Sequence, residues 1–142
     1  MPAAADVQTQ NSGSKAGKPE SGDSITFTFA GTVNPALVLA GWNGGGTLVT
    51  VHFENNKKDD VLSVRNASTG ATLFPLGFVA LGGDYSNTAD FRFSVMTLNG
   101  NTITIVLGTL NGHVKEKPKT ATMIWSAPTN TVTESGPLDK EF

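Results

Sequence analysis

His52 and His113 are the only imidazoles in the chain, and imidazole is the side chain best suited to proton transfer near neutral pH. A Ser-His-Asp arrangement can be assembled on paper from Ser63, His52 and Asp60. Nothing local supports it: no Gly-x-Ser-x-Gly elbow surrounds a serine, and no set of oxyanion donors is evident. The acidic residues are scattered and give no hint of the facing carboxylates of a glycoside hydrolase. No catalytic residue is assigned, and the chain reads as a non-enzyme.

Metal chemistry has equally little to work with. The chain has no Cys, which removes thiolate zinc sites, disulfides and a Cys nucleophile, and two distant His do not make a zinc site. Calcium needs only oxygens. Asn55, Asn56, Asp59 and Asp60 fall in one turn, and Asp84 and Asp90 in another segment. Lys57 and Lys58 sit inside the first cluster and oppose a cation. These groups read as turn residues, with no metal and no cofactor expected. The third chemistry is aromatic stacking, by which sugar-binding sandwiches hold sugar rings on exposed Trp and Tyr. The set available is Trp42, Tyr85 and Trp125. Trp125 lies on a strand and is assigned to the core. Trp42, beside Gly44-Gly45-Gly46, and Tyr85 are the ligand-binding candidates.

The elements that would position these residues are strands. The chain of 142 residues has a formal net charge of −2, is long enough for one domain with a real core, and is rich in Gly, Thr, Val and Ser. That mixture suits short strands and turns. The basic run Lys115–Lys119 is too small for nucleic-acid binding and reads as part of a solvated basic loop, Asn111–Lys119. No apolar run approaches the ~20 residues of a membrane span. The opening MPAAADVQTQ lacks the basic and apolar regions of a signal peptide. Asn66-Ala67-Ser68 matches a glycosylation sequon, which matters only in a eukaryotic secretory route.

Residues 1–22 are polar and small and are expected to be a flexible arm in which Val7 could pair briefly at a sheet edge, with strand donation to a neighbouring subunit as its functional alternative. Residues 23–135 carry the strands. Ile25, Phe27 and Phe29 alternate inward, as do Val49, Val51 and Phe53, and then Leu62 and Val64. His52 alternates outward. Asn34-Pro35 caps and opens a short helical turn whose Leu37 and Leu39 tuck under the sheet. Pro75 and Gly77 interrupt Thr72–Leu81, making it an edge strand or one that crosses between sheets. The clearest hairpin spans Asp90–Gly108. A three-residue loop, Asn99–Asn101, pairs Val95 with Ile105 and Phe93 with Leu107, and keeps Phe91, Phe93 and Val95 on the face of Ile103, Ile105 and Leu107. A two-residue loop at Asn99-Gly100 would put the two apolar sets on opposite faces. Ala121–Ser126 and Thr129–Ser135 supply the last strands, and residues 136–142 form a tail.

Roughly seven to eight strands, with turn signals at intervals of about eight to twelve residues, fit an antiparallel two-sheet Ig-like β-sandwich, with a jelly roll as the alternative. The run GDSITFTF, Gly22–Phe29, followed by Asn34-Pro35, resembles the opening of bacterial Ig-like domains in exported surface and S-layer-type proteins of Gram-positive, actinobacterial type. GNTITIVLG, Gly100–Gly108, and TATMIWS, Thr120–Ser126, resemble their closing strands, so the likeness covers residues 22–135. Ala30-Gly31 replaces the Ser-Glu usual in that family, and Pro128–Thr131 replaces its acidic closing segment. Any calcium ligands that relatives carry there are missing. The resemblance implies a secreted or cell-surface structural or adhesive module, with a protein or cell-surface glycan as partner. A carbohydrate-binding module, and a surface filament subunit self-associating through residues 1–22, are the alternatives.

Overall fold

In the computed structural model, which describes residues 1–13, 15–56, 59–115, 122–135 and 142, alternating apolar residues drive nearly every element into one antiparallel sheet. The strands are β1 (Ala4–Gln10), β2 (Ser24–Phe29), β3 (Thr47–Glu54), β4 (Val61–Asn66), β5 (Phe78–Ala80), β6 (Ser86–Asn99), β7 (Thr102–Val106), β8 (Thr109–Val114), β9 (Ile124–Ser126) and β10 (Thr131–Thr133). Ten strands thus form among the described residues, more than the turn spacing suggested. Their order is β1-β2-β7-β6-β3-β4-β5-β9-β10, with β8 branching from β6. The two ends of this order approach each other. The Asn130 side chain accepts from Ala4 N at 2.8 Å and donates to Ala4 O at 2.9 Å, and Asp6 accepts from Ser135 N at 2.9 Å. The sheet is therefore nearly barrel-shaped, its seam joined by side chains.

The inward set follows the alternation. Ile25, Phe27, Phe29, Val49, Val51, Phe53, Leu62 and Val64 are all buried, as are Met123 and Trp125. Phe27 and Phe29 meet Trp125 edge-on, with centroids 5.0 and 5.1 Å away. The helical turn α1 (Pro35–Val38) is capped by Asn34, whose side chain accepts from Ala36 N at 3.2 Å. Its buried residue is Val38; Leu37 stands 55% exposed and does not tuck under the sheet. Pro75 lies in a single 3₁₀ turn, Phe74–Leu76, and shortens β5 to three residues between β4 and β9.

The N-terminal segment differs from the flexible arm expected for residues 1–22. Ala4–Gln10 is strand β1, laddered along the chain's own β2 from Ala4↔Phe29 to Gln10↔Ser24. A register shift between Ala4 and Asp6 places Ala4 and Val7, three residues apart, both in the core. That bulge hides the period-two signal from the sequence. The expected tail, residues 136–142, lies outside the described residues except for Phe142. That ring is fully buried, 5.6 Å from Phe53 and 6.3 Å from Tyr85. The expected basic loop, Asn111–Lys119, begins as strand: Asn111–Val114 belongs to β8, paired with β6, and residues 116–120 lie outside the described set.

The turn between β1 and β2 is tied by Asp23. Its buried carboxylate accepts from the N–H groups of Ser12 at 2.8 Å, Gly13 at 2.9 Å and Glu20 at 3.0 Å. Burial pushes its pKa above the usual 3.8, outweighing these three donors, and the Glu20 charge adds to the rise. The folded state therefore binds the Asp23 proton more tightly than the unfolded chain does. The stability contributed by this group is full below the ordinary carboxylate range and is lost as pH rises through the raised folded value. Urea unfolding of the wild type and of Asp23→Asn between about pH 3 and pH 7 should show the wild type losing stability relative to the variant as pH rises. A difference that does not vary with pH would remove this role.

Candidate binding face

The outer face of β4-β3-β6-β7 gathers the polar chemistry, and a bulge in β6 sets it out. Val51 pairs with Phe91, but Val49 pairs with Ser94, so β6 carries one extra residue here. Phe93 takes up the distortion in the left-handed region, at φ 57°. That region is uncommon for an aromatic residue and costs roughly 1–2 kcal/mol. Before the bulge, Ala89 and Phe91 point inward; after it, Ser94 and Met96 do. Phe93 and Val95 are consequently 66% and 39% exposed. This phase change overturns the register expected for the hairpin. The pairs are Val95↔Val106, Met96↔Ile105 and Leu98↔Ile103, with Gly100-Asn101 as the loop. Gly100 alone has positive φ, 66°, which suits a hairpin turn with Gly at its first central position. The bulge also changes β6's neighbour, from β8 along Ser86–Arg92 to β7 along Val95–Asn99.

Three rows of side chains cross this face. In the first, His52 lies between Asp90 on β6 and Ser63 on β4. His52 Nδ1 is 2.6 Å from Asp90 Oδ1, and Nε2 is 2.7 Å from Glu54 Oε2. Each ring nitrogen is thus within hydrogen-bond reach of a carboxylate. His52 faces outward as its alternation predicts, yet it is only 6% exposed, because the two carboxylates cover it. Ser63 sits opposite His52 in the ladder, but the imidazole is committed elsewhere. Asp60 is committed too, accepting from Asn56 N at 3.0 Å and Tyr85 N at 2.7 Å. The paper triad Ser63-His52-Asp60 is not assembled.

In the second row, Thr50 pairs with Arg65, and the Arg92-Phe93 bulge lies on the other side of Thr50. A groove of about 410 Å³ runs here, lined by Thr50, Arg65, Asn66, Asp90, Arg92 and Phe93. A second groove, about 590 Å³, lies beside it and is lined by His52, Glu54, Ser63, Arg65 and Phe78. Arg65 belongs to both. Arg65 and Arg92 are the chain's two arginines, and among the described residues neither has an ion-pair partner. Arg65 Nε is shut off from solvent and has no hydrogen-bond partner among the described residues. In the third row, Leu48 pairs with Val95 and Val95 with Val106. These three are 49%, 39% and 42% exposed, an apolar band bordering the arginine groove.

The residues singled out by type lie elsewhere. Trp42 is 7% exposed, with Nε1 donating to Gly45 O at 2.6 Å. Tyr85 is fully buried against Phe142. Neither offers a ring face to solvent, so the two do not form the expected stacking platform; their apolar area is worth more in the core. The oxygens considered for calcium are divided among separate tasks. Asp59 accepts from Gly82 N at 2.8 Å, Asp84 pairs with Lys115 at 2.8 Å, and Asp90 holds His52. No family model, curated protein or solved structure matches the chain.

Proposed function

We propose that this protein is a non-enzymatic adhesive module of an exported bacterial surface protein, and that the outer face of β4-β3-β6-β7 is its adhesive surface. We read the fold as an Ig-like two-sheet sandwich in which β6 passes between layers at its bulge; its change of partner from β8 to β7 supports this. One observation carries the functional reading. A row of exposed Leu48, Val95 and Val106 adjoins grooves holding both arginines and the exposed ring of Phe93. A solvated sheet face ordinarily alternates to polar residues, and contiguous exposed apolar area rimmed by polar groups is the mark of a contact surface. His52 engages a carboxylate through each nitrogen, so neither serves the Ser63 hydroxyl. The filament alternative is disfavoured because the chain's own β1 already occupies the β2 edge. The carbohydrate alternative loses its platform with the burial of Trp42 and Tyr85.

Beads coated with the protein and passed over surfaces bearing extracellular proteins, wall polymers and polysaccharides test this reading. Retention on at least one surface is expected, with no release of product and no change in Asp23→Asn. Product release that disappears in His52→Ala would make the protein an enzyme instead. Retention on none of them would reduce it to a spacer.

A further inference from the structure

Resting on the adhesive reading, we propose that the groove between Arg65 and Arg92 receives a carboxylate of an acidic peptide segment from a partner protein, whose apolar side chains lie on Phe93 and the Leu48–Val95–Val106 band. The charge argument comes first. The groove holds two guanidiniums and one carboxylate, Asp90, whose Oδ1 is already taken by His52. Guanidinium presents a fork of donors that matches a carboxylate. Arg65 lines both this groove and the neighbouring one and has no ion-pair partner among the described residues, so an entering carboxylate would give its guanidinium the countercharge it lacks.

The apolar argument separates a peptide from an acidic glycan. Beyond the arginines the face continues as Leu48, Val95 and Val106, aliphatic and exposed. Sugars stack on flat rings; among the described residues that line this groove Phe93 is the one aromatic, and the exposed Phe78 belongs to the neighbouring groove. An aliphatic band beside Arg and an aromatic ring instead has the composition of a protein-binding hot spot. Phe93 supplies a further sign. An exposed aromatic held at φ 57° carries strain with no burial to offset it, and such strain gathers at functional sites.

The test uses the full chain to select from a displayed library of random peptides about twelve residues long, enough to cross the face at ~3.3 Å per residue. Selected sequences are expected to combine Asp or Glu with apolar residues. Each of Arg65→Gln, Arg92→Gln and Val95→Lys is expected to weaken the best of them by at least about tenfold. Phe93→Gly should also weaken binding while raising thermal stability, because Gly accepts positive φ without strain; a merely structural Phe93 would not separate the two. Melting curves of all variants confirm that they fold. Selection without acidic residues, or binding unchanged in both arginine variants, would overturn the proposal. So would polygalacturonate binding in an arginine-dependent way when no peptide does; that result would assign the groove to an acidic glycan. If no probe binds while the coated beads still adhere, this inference fails and the adhesive reading stands.

Discussion

Trp125→Ala is expected to lower the free energy of unfolding by about 3–5 kcal/mol. Trp125 is among the largest fully buried side chains of the molecule. It sits at the middle residue of β9, opposite Val79 on one side and Val132 on the other. Its ring receives the edge contacts with Phe27 and Phe29, so one side chain ties the short β5-β9-β10 part of the sheet to β2. Its Nε1 also donates to Leu76 O at 2.7 Å, fixing the turn that enters β5. Truncation removes the packing and leaves the Leu76 carbonyl without that donor. Since domains of this kind are stable by only about 5–15 kcal/mol, the loss is a large part of the whole. Trp125→Phe separates the two contributions: it keeps much of the ring and should cost about 1–3 kcal/mol, near the penalty for an unmatched buried acceptor. Urea unfolding checks both. A loss below about 1.5 kcal/mol for the Ala variant would mean that the site collapses freely and that Trp125 is not the tie described.

The strands that could be read directly were those with an unbroken period of two. Ile25, Phe27 and Phe29 on β2, and Val49, Val51 and Phe53 on β3, needed no information beyond their own alternation. Trp125 reads as core from its place on a strand, and Met123, two residues before it on the same face, is buried with it. Where a bulge resets the phase, the pattern misleads. Ala4 and Val7 look too sparse for a strand, and Phe91, Phe93 and Val95 look like one face when they are not. The register of the β6-β7 hairpin was missed for that reason: Phe93 at positive φ turns the later half of β6 over. Trp42 and Tyr85 were chosen by residue type, and type does not say whether a ring's apolar area faces solvent or core. The arginine pair was out of reach for a different reason. Arg65 and Arg92 lie on β4 and β6, which meet only across β3, and that order depends on contacts far apart in sequence. The outward direction of His52 was legible; the carboxylate of Asp90 that covers it was not, because it too comes from across the ladder.

The bulge that sets out the binding face depends on Gly108, and Gly108→Ala is expected to cost about 3 kcal/mol or more, the upper range for forced overpacking. A Cβ at this position would run into the carbonyl oxygen of Arg92 and come within 2.6 Å of Phe93 C. These are backbone atoms of the bulge, so no rotamer change makes room. The same glycine donates its N–H to Ser94 Oγ at 3.0 Å, and Ser94 donates in turn to Phe91 O at 2.8 Å. Shifting Gly108 therefore disturbs the hydroxyl that braces the bulge as well. Gly100→Ala is the control. It has positive φ, 66°, but open space around the missing Cβ, so it should cost only about 1 kcal/mol, the left-handed penalty alone. If the two substitutions cost the same, close approach is not what selects glycine at Gly108. Coupling to Phe93 is a further check. Phe93→Gly frees the bulge backbone to move, so the double variant should recover part of the Gly108→Ala loss, a non-additivity of about 0.5–3 kcal/mol between touching residues. The bulge also carries Arg92 into its groove. Gly108→Ala should therefore weaken peptide binding more than Trp125→Ala does, even when both variants are compared well below their melting temperatures, because one displaces the backbone beneath the arginine and the other empties a core on the opposite side of the sheet.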